Sequence, residues 1–260
     1  MNNTILSLNN VTMRFGGLIA VNNVNIAIKR GTITGLIGPN GAGKTTVFNM
    51  VSGFYAPTDG KILLNEQKIC GLPPYAICKS RIARTFQNIR LFSGLTVLQN
   101  VMVGAHIWQK QPWFASALFL PNAIKEKNKI YKSSMKLLKQ LQLDHLADQR
   151  ATTLSYGAQR RLEIARALAT KPKLLLLDEP AAGMNPKESE ELREFIEKVR
   201  KEFDLTILLI EHDMKVVMGL CQYIWVLEHG SCIANGTPDK IRDNPKVVEA
   251  YLGGDIHEYS

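Results

Sequence analysis

The sequence lacks any apolar run long enough to cross a membrane as a helix. Its longest apolar stretches, residues 113–120 and 174–177, are far shorter than the roughly 20 residues that such a helix requires. The chain also opens without the basic segment and apolar core of a secretory leader. We therefore expect a protein that acts in the cytoplasm.

Cysteine is also scarce, and its spacing does not indicate a metal site. The four cysteines include no closely spaced pair of the kind that binds zinc. Thiols of cytoplasmic proteins generally stay reduced. We therefore predict reduced and mostly buried side chains at Cys70, Cys78, Cys221 and Cys232.

Length and charge leave several function classes open. At 260 residues the chain can bury one large core or two modest ones, and its 45% hydrophobic and 21% charged residues are ordinary for a globular α/β protein. A net charge of +9 would suit nucleic acid, anionic lipid or a polyphosphate ligand. The charge alone does not choose among these partners.

The most informative stretch is a glycine-rich segment between a strand-like run and a helix-like run. It contains Gly38, Pro39, Asn40, Gly41, Ala42, Gly43, Lys44, Thr45 and Thr46. Glycines let successive N–H groups point into one concavity, and the following helix adds its positive end. Lys44 would reach the β- and γ-phosphates, and the Thr45 hydroxyl would bind Mg²⁺. The segment predicts a nucleoside triphosphate site; the alternative is a glycine-rich turn with a surface lysine.

An acidic pair follows a second apolar run. Residues 174–177 are all leucine, which indicates a strand buried on both faces, and Asp178 and Glu179 follow at its carboxyl end. Ligands bind at that edge in open α/β sheets. Asp178 could hold Mg²⁺ through its water shell, and Glu179 could polarise an attacking water. The alternative role is a helix cap, but Asn185 supplies a separate cap, so we expect the pair to be free for chemistry.

Three further side chains are candidates on weaker grounds. His212 follows the strand-like residues 205–210 and so lies at the same edge as the acidic pair, although a lone histidine there is usually structural. Gln87 ends another strand-like run, where its amide could reach a metal or a water. Phe15 precedes a turn at residues 16–17 and could stack on a base, although hairpin aromatics more often cover the sheet.

A basic amphipathic helix is predicted around residues 125–141. Its apolar side is formed at three- and four-residue spacing by Ile130, Ser134, Leu137, Leu138 and Leu141. The surrounding lysines are Lys125, Lys127, Lys129, Lys132, Lys136 and Lys139. This basic face is either solvated or in contact with acidic lipid headgroups or a partner. The aromatic cluster just before it either docks on another protein or is buried, and it comprises Trp108, Trp113, Phe114 and Phe119.

Together these motifs resemble the ATP-binding subunit of an ABC transporter over essentially the whole chain. The resemblance assigns the Walker A loop, Q-loop, signature, Walker B strand and D-loop to residues 38–46, Gln87, 154–159, 174–178 and 181–186. It also makes Glu179 the catalytic glutamate and His212 the switch histidine. Phe15 matches the adenine-stacking aromatic of the family, so the resemblance favours base stacking where spacing alone favoured an aromatic that covers the sheet.

Two motifs depart from the usual family pattern. Tyr156 and Ala158 stand at two positions of the usual Leu-Ser-Gly-Gly-Gln signature, and Asn185 replaces the usual aspartate of the D-loop. Ser155 and Gly157, whose hydroxyl and backbone touch the γ-phosphate in the family, are retained, and Gln159 follows them. Residues 14–17, 84–88, 151–166, 185–188, 210–215 and 234–238 resemble the LivG-type ATPases of branched-chain amino acid importers in particular.

The resemblance implies a fold and a domain organisation. The expected fold class is α/β, with a P-loop NTPase core of mostly parallel sheet and flanking helices. An antiparallel β subdomain would precede this core, and a helical subdomain at about residues 88–161 would be inserted in it. Residues 1–253 would form a single ABC ATPase domain, and residues 254–260 a flexible tail.

The resemblance also implies a mechanism and partners. Two ATPase chains would sandwich two ATP molecules, with Lys44 of one facing Ser155 of the other. Lys44, Gln87, His212 and Mg²⁺ would hold the γ-phosphate, Glu179 would activate water, and Mg²⁺ would be bound through Thr45, Gln87 and Asp178. The expected partners are a related LivF-type ATPase, two transmembrane permeases and, indirectly, an extracytoplasmic amino-acid-binding protein, at the cytoplasmic face of the inner membrane.

Other functions remain as alternatives. Lipopolysaccharide-export ATPases are similar over the same length. An ABC-type ATPase acting on DNA or ribosomes would suit the charge, but such proteins carry long coiled coils or two cassettes, which this chain lacks, so we expect no nucleic acid partner. A small P-loop kinase would have no use for residues 154–159.

Overall fold

A computed structural model of the protein describes residues 3–108 and 121–252. The described chain forms two compact units. The first contains residues up to Gln87 and those from Lys173 onward, and the second is Asn88–Pro172. The second unit extends past the expected boundary near residue 161 because a continuous helix runs to Ala169 within it. The expected flexible tail, residues 254–260, lies outside the described residues.

The first unit opens with an antiparallel sheet. Its strands are β1 (Thr4–Phe15), β2 (Leu18–Lys29), β4 (Asp59–Leu64) and β5 (Gln67–Lys68), in the order β2-β1-β4-β5. Apolar residues alternate along β2, where Val24, Ile26 and Ile28 are buried and their neighbours are exposed. This alternation is typical of a sheet with one covered face, as the sequence predicts.

The second sheet of this unit is mostly parallel and carries the candidate site. Its strands are β3 (Ile33–Ile37), β6 (Ile82–Arg84), β7 (Leu174–Asp178), β8 (Thr206–Ile210), β9 (Tyr223–Glu228) and β10 (Ser231–Gly236), in the order β10-β9-β3-β8-β7-β6. Only β10 is antiparallel to its neighbour. Every residue of β3, β7 and β8 is buried, which explains their largely apolar sequences.

Six helices in the described part of the first unit accompany these sheets. They are α1 (Lys44–Val51), α2 (Pro74–Lys79), α6 (Pro186–Glu202), α7 (Met214–Leu220), α8 (Pro238–Arg242) and α9 (Pro245–Leu252). Asn185 caps α6 in a capping box with Glu188, as the sequence predicts. The α/β fold with an N-terminal antiparallel sheet and a mostly parallel second sheet is thereby confirmed.

The second unit is helical. Outside residues 109–120, it contains α3 (Val97–Ala105), α4 (Pro121–Gln140) and α5 (Tyr156–Ala169), with three short 3₁₀ turns. The predicted apolar side of α4 is buried, and all six lysines around it are exposed. The indole N–H of Trp108 donates to the Thr170 carbonyl at 2.9 Å. The predicted roles of Trp113, Phe114 and Phe119 lie outside the described residues.

Two further expectations concern cysteines and membrane helices. No disulfide joins the four cysteines; Cys221 is buried, but the other three are half-buried, so the prediction of mostly buried thiols is only partly right. Burial raises the pKa of the Cys221 thiol to about 12. None of the helices in residues 3–108 and 121–252 is long and apolar enough to cross a membrane.

Candidate functional site

The glycine-rich segment forms a tight loop between β3 and α1. Gly38 and Gly43 have φ angles of 147° and 98°, in the region that glycine alone adopts readily. A Cβ atom at Gly38 would lie 2.0 Å from the Leu227 carbonyl oxygen, and one at Gly43 would lie 2.6 Å from the Ala20 carbonyl oxygen. Both positions therefore require glycine for steric reasons.

Lys44 is the first residue of α1 and points back into the loop. Its ammonium group donates to the carbonyl oxygens of Gly38 at 2.7 Å and Pro39 at 2.8 Å. The residue is only 8% exposed. Burial lowers the pKa of Lys44, and the nearby carboxylates of Glu179 and Asp178 partly oppose that shift. The loop thus holds a cation, at a helix start that adds a partial positive charge of its own.

Three predicted site residues meet at the carboxyl ends of β6, β7 and β8. These strands belong to the same sheet as β3, which leads into the phosphate loop. The Gln87 amide donates to the Glu179 carboxylate oxygen Oε2 at 2.7 Å, and His212 Nδ1 lies 3.6 Å from the same oxygen. Glu179 has a φ of 45°, and its N–H donates to the Ile210 carbonyl at 2.9 Å. A non-glycine residue in this left-handed conformation is strained, and such strain is typical of functional sites.

Asp178 is not free, contrary to the expectation from sequence. Its Oδ2 atom accepts from the Arg84 guanidinium at 2.8 Å, in a pair whose side chains are 8% and 7% exposed. Arg84 also donates to Asn49 at 2.7 Å and Ser52 at 2.9 Å, both of α1 or its cap. The one sequence feature that could have indicated this pair is the basic residue three positions before Gln87.

The Arg84 guanidinium also lies among aromatic rings. Its carbon is 5.1 Å from the ring centre of Phe86, 5.5 Å from that of Phe48 and 5.9 Å from that of Phe54. Such cation–π contacts stabilise a desolvated guanidinium. Arg84 therefore links the helix after the phosphate loop, the acidic end of β7 and the segment that leads to Gln87.

Glu211 is a second site neighbour that sequence reasoning missed. It precedes His212, is 1% exposed, and accepts hydrogen bonds from the N–H groups of Ala181 at 2.8 Å and His212 at 3.2 Å. Burial raises the pKa of its carboxyl group, although these backbone donors oppose the shift. The buried Glu211 carboxyl thus joins Ala181, in the loop after Glu179, to the segment that follows β8.

The remaining candidates lie at the surfaces of their own units. Phe15 ends β1, is 41% exposed and makes an edge-on contact with Tyr55 at 5.3 Å between ring centres. In the second unit, the Ser155 hydroxyl caps α5 by accepting from the Ala158 N–H at 3.4 Å. The Gln159 amide donates to the Leu154 carbonyl at 2.9 Å. A Cβ atom at Gly157 would meet no atom within 4 Å, so packing within the chain does not require this glycine.

Comparison with known proteins identifies the family. The family model described as ABC transporter matches residues 21–182. The chain belongs to the ABC transporter ATP-binding family. LivG of Escherichia coli K12, a branched-chain amino acid transport ATP-binding protein, is 49% identical over 97% of this chain and 99% of its own. BraF of Pseudomonas aeruginosa, which carries the same description, is 47% identical over 97% of this chain and 99% of its own.

Solved structures agree with this assignment to the ABC family. An ATP-binding cassette solved in its ADP conformation is 32% identical and superposes with a TM-score of 0.83, over 96% of this chain and 99% of that one. A second family model, described as branched-chain amino acid ATP-binding cassette transporter, matches residues 231–257. The predicted family and its ABC-type ATP hydrolase activity are confirmed, and the cassette is an ATP-binding component of a membrane transport system.

The cassette also offers suitable groups for a divalent cation. In the described ranges, no three His, Cys, Asp or Glu side chains cluster as a self-sufficient metal site. The remaining oxygen ligands are the hydroxyl of the exposed Thr45, the Gln87 amide oxygen and the second oxygen of Asp178, whose Oδ2 is held by Arg84. Mg²⁺ prefers few protein oxygens and takes its other ligands from water and phosphates. The donor set therefore fits Mg²⁺ bound together with a nucleotide.

Proposed function

We propose that this chain hydrolyses ATP to power a branched-chain amino acid importer. The observation that carries the chemistry is the Glu179 carboxylate, held by Gln87 and His212 and near Lys44 of the phosphate loop. The substrate class is supported by the family model at residues 231–257 and by the names of the LivG and BraF relatives.

In the binding step, the phosphate loop recognises the nucleotide. The N–H groups of residues 40–46 surround the phosphates, and Lys44 exchanges its loop carbonyl partners for phosphate oxygens. Phe15 stacks on the adenine with its exposed ring. Bound Mg²⁺, held by Thr45, Asp178 and Gln87, would supply neutralisation of the charge on the β- and γ-phosphate oxygens.

In the chemical step, Glu179 activates a water molecule. Its carboxylate takes a proton from water as the water oxygen forms a bond to the γ-phosphorus, and the bond from that phosphorus to the bridging oxygen breaks. The products are ADP and inorganic phosphate. Gln87 and His212 both contact Oε2, which fixes the position of the carboxylate that accepts the proton. Lys44 stabilises the charge on the transferring group.

The complete site requires a second cassette. Ser155, Gly157 and Gln159 of this chain contact the γ-phosphate of the nucleotide bound by the partner cassette, and the partner's own signature segment contacts the γ-phosphate held by Lys44. A Cβ atom at Gly157 would meet no atom within 4 Å in this chain, which supports its role toward the partner's nucleotide. The second cassette is a related, LivF-type subunit. Two permeases bind the pair at the cytoplasmic face of the inner membrane, with the extracytoplasmic binding protein acting through them.

Purification of the tagged chain from detergent-solubilised native membranes tests this proposal. We expect two multi-span permeases and a second, shorter ATPase to co-purify. Uptake of labelled leucine should then disappear when the chain is deleted and return with the parent sequence but not with Glu179→Gln. Co-purified nucleic acid or ribosomal proteins without permeases would overturn the transporter role, and a lipopolysaccharide-export permease would overturn the substrate class.

A further inference from the structure

The outer face of α4 carries a continuous line of lysines. Five exposed lysines follow one another at spacings that alternate between four and three residues: Lys125, Lys129, Lys132, Lys136 and Lys139. At 3.6 residues per turn they fall within an arc of about 80°, and they extend along roughly 21 Å of helix. We call these five residues the lysine stripe.

The stripe faces away from the body of its unit. Ile130, Ser134 and Leu138 are buried and lie on the opposite side of α4, about half a turn from the lysines. Packing of these residues fixes the rotation of the helix in the unit. The unit therefore presents the whole stripe to its surroundings as one surface.

Solubility alone does not account for the stripe. Lysines three or four positions apart on a helix repel each other, and Glu126 is the only acidic residue between 121 and 140. Helix α6 shows the usual alternative for an exposed helix face. That helix mixes acidic and basic residues, and Arg193 forms an ion pair with Glu190. Lys201 forms another with Glu197, in which the ammonium nitrogen lies 2.8 Å from the carboxylate oxygen. The uncompensated stripe thus suits an anionic partner.

We propose that the lysine stripe binds the anionic lipid headgroups of the membrane in which the permeases lie. This inference rests on the proposed function, which brings the cassette to a bilayer. Three features favour lipid over an acidic protein. The charges form a straight line, and they are flexible ammonium groups with no arginine on the helix, whereas specific protein ion pairs favour the planar guanidinium. Ile124 and Tyr131 are also exposed on this helix and suit a headgroup interface.

Vesicle co-sedimentation of the purified full chain tests the proposal. The probes are phosphatidylcholine vesicles with and without phosphatidylglycerol. The stripe variant replaces Lys125, Lys129, Lys132 and Lys136 with glutamine. A matched control replaces four exposed lysines of the first unit with glutamine and so removes the same charge; these are Lys29, Lys61, Lys68 and Lys198.

We expect the parent chain to bind only the vesicles that contain phosphatidylglycerol, and to be released by salt. The stripe variant should bind at least about tenfold more weakly, and the control less than about twofold. Equal losses in the two variants, or unchanged binding by the stripe variant, would show that the stripe is not a lipid site. An acidic protein that captures the parent but not the stripe variant, with vesicle binding unchanged, would assign the stripe to a protein partner.

This experiment is separable from the test of the proposed function. It uses the isolated chain, so it does not depend on the permeases or on leucine uptake. Both variants should keep the ATPase rate and melting temperature of the parent in solution, since neither touches the nucleotide site. If uptake failed in the first experiment while the stripe still bound lipid, only the transporter assignment would fall.

Discussion

The phosphate loop and the acidic edge serve one site but are built in opposite ways. The loop is a run of consecutive residues, 38–46, whose shape depends on two glycines with little space around them, Gly38 and Gly43. The edge gathers Arg84, Gln87, Asp178, Glu179 and His212 from three separate strand ends. The loop offers backbone N–H groups and one buried cation, whereas the edge offers carboxylates held by specific partners.

This difference separates binding from chemistry. Backbone donors and Lys44 hold phosphate whether or not it reacts, so changes in the loop should act on nucleotide affinity. The partners at the edge fix the orientation of two carboxylates, so changes there should act on hydrolysis or on the stability of the edge itself. Four variants test this division, and they are ordered by the size of the free-energy change that we expect each one to cause.

The largest effect is expected from Arg84→Met. The variant leaves the Asp178 carboxylate buried without its guanidinium partner, which should lower the free energy of unfolding by about 3–5 kcal/mol. Denaturant titration measures the loss. The double variant Arg84→Met/Asp178→Asn should recover part of it because no unpaired charge remains. A double variant as unstable as the single one would show that the ion pair is not the cause.

Glu179→Gln should separate hydrolysis from binding. The amide cannot accept the proton from water, so we expect ATP turnover to fall by about 100-fold or more, with ATP affinity retained. Phosphate release and equilibrium binding of a fluorescent ATP analogue measure the two effects. Glu194→Gln, on the exposed side of α6, should leave both unchanged. Near-normal turnover of Glu179→Gln would refute its assignment as the catalytic base.

Gly38→Ala should impair the loop. The added Cβ would collide with the Leu227 carbonyl, and the φ of 147° disfavours any side chain. We expect ATP affinity to fall about tenfold, with about 1–3 kcal/mol of strain in the loop. Gly17→Ala is the matched control because a Cβ there meets nothing within 4 Å. If the two variants bound ATP equally well, the loop would not depend on glycine at this position.

The smallest effect is expected from Glu211→Gln, as a change in pH dependence. Burial raises the pKa of Glu211, so protonation favours the folded state at pH below the ordinary carboxyl pKa of about 4.3. That contribution is lost as pH rises through the raised pKa. Glutamine does not titrate, so the melting temperature of the variant minus that of the parent should increase from about pH 4 to about pH 8.

The matched control for this shift has the opposite sign. Hydrogen bonding to Arg193 lowers the pKa of Glu190, so its contribution to stability is present at higher pH and is lost as pH falls. For Glu190→Gln the melting temperature of the variant minus that of the parent should therefore decrease as pH rises. The decrease should be slight because the Glu190–Arg193 pair is exposed. A flat difference for Glu211→Gln would show that its carboxyl does not titrate with folding.

Much of the site could be predicted from sequence because its signals are local or topological. The phosphate loop is read from consecutive residues, and the buried strands β7 and β8 are read from apolar runs. Gln87, Glu179 and His212 could then be placed at one edge because parallel strands end on the same side of a sheet. The shared contact of Gln87 and His212 with one carboxylate oxygen of Glu179 was beyond this reasoning.

The partners of the acidic residues could not be predicted in the same way. Arg84 and Asp178 are 94 positions apart, and only the pairing of β6 with β7 brings them together. Glu211 and Ala181 are 30 positions apart and meet through the pairing of β7 with β8. No periodicity marks such pairs, so Asp178 was wrongly expected to be free and Glu211 was overlooked.

The sequence by itself therefore determined the elements, the family and the nucleotide ligand, since a glycine-rich turn and strand-length apolar runs depend on neighbouring residues. Tertiary structure alone decided which buried charges pair and how each carboxylate is held. The physical reason is that burial penalises an unpaired charge wherever it lies in the chain, and its partner can come from any strand that the sheet places beside it.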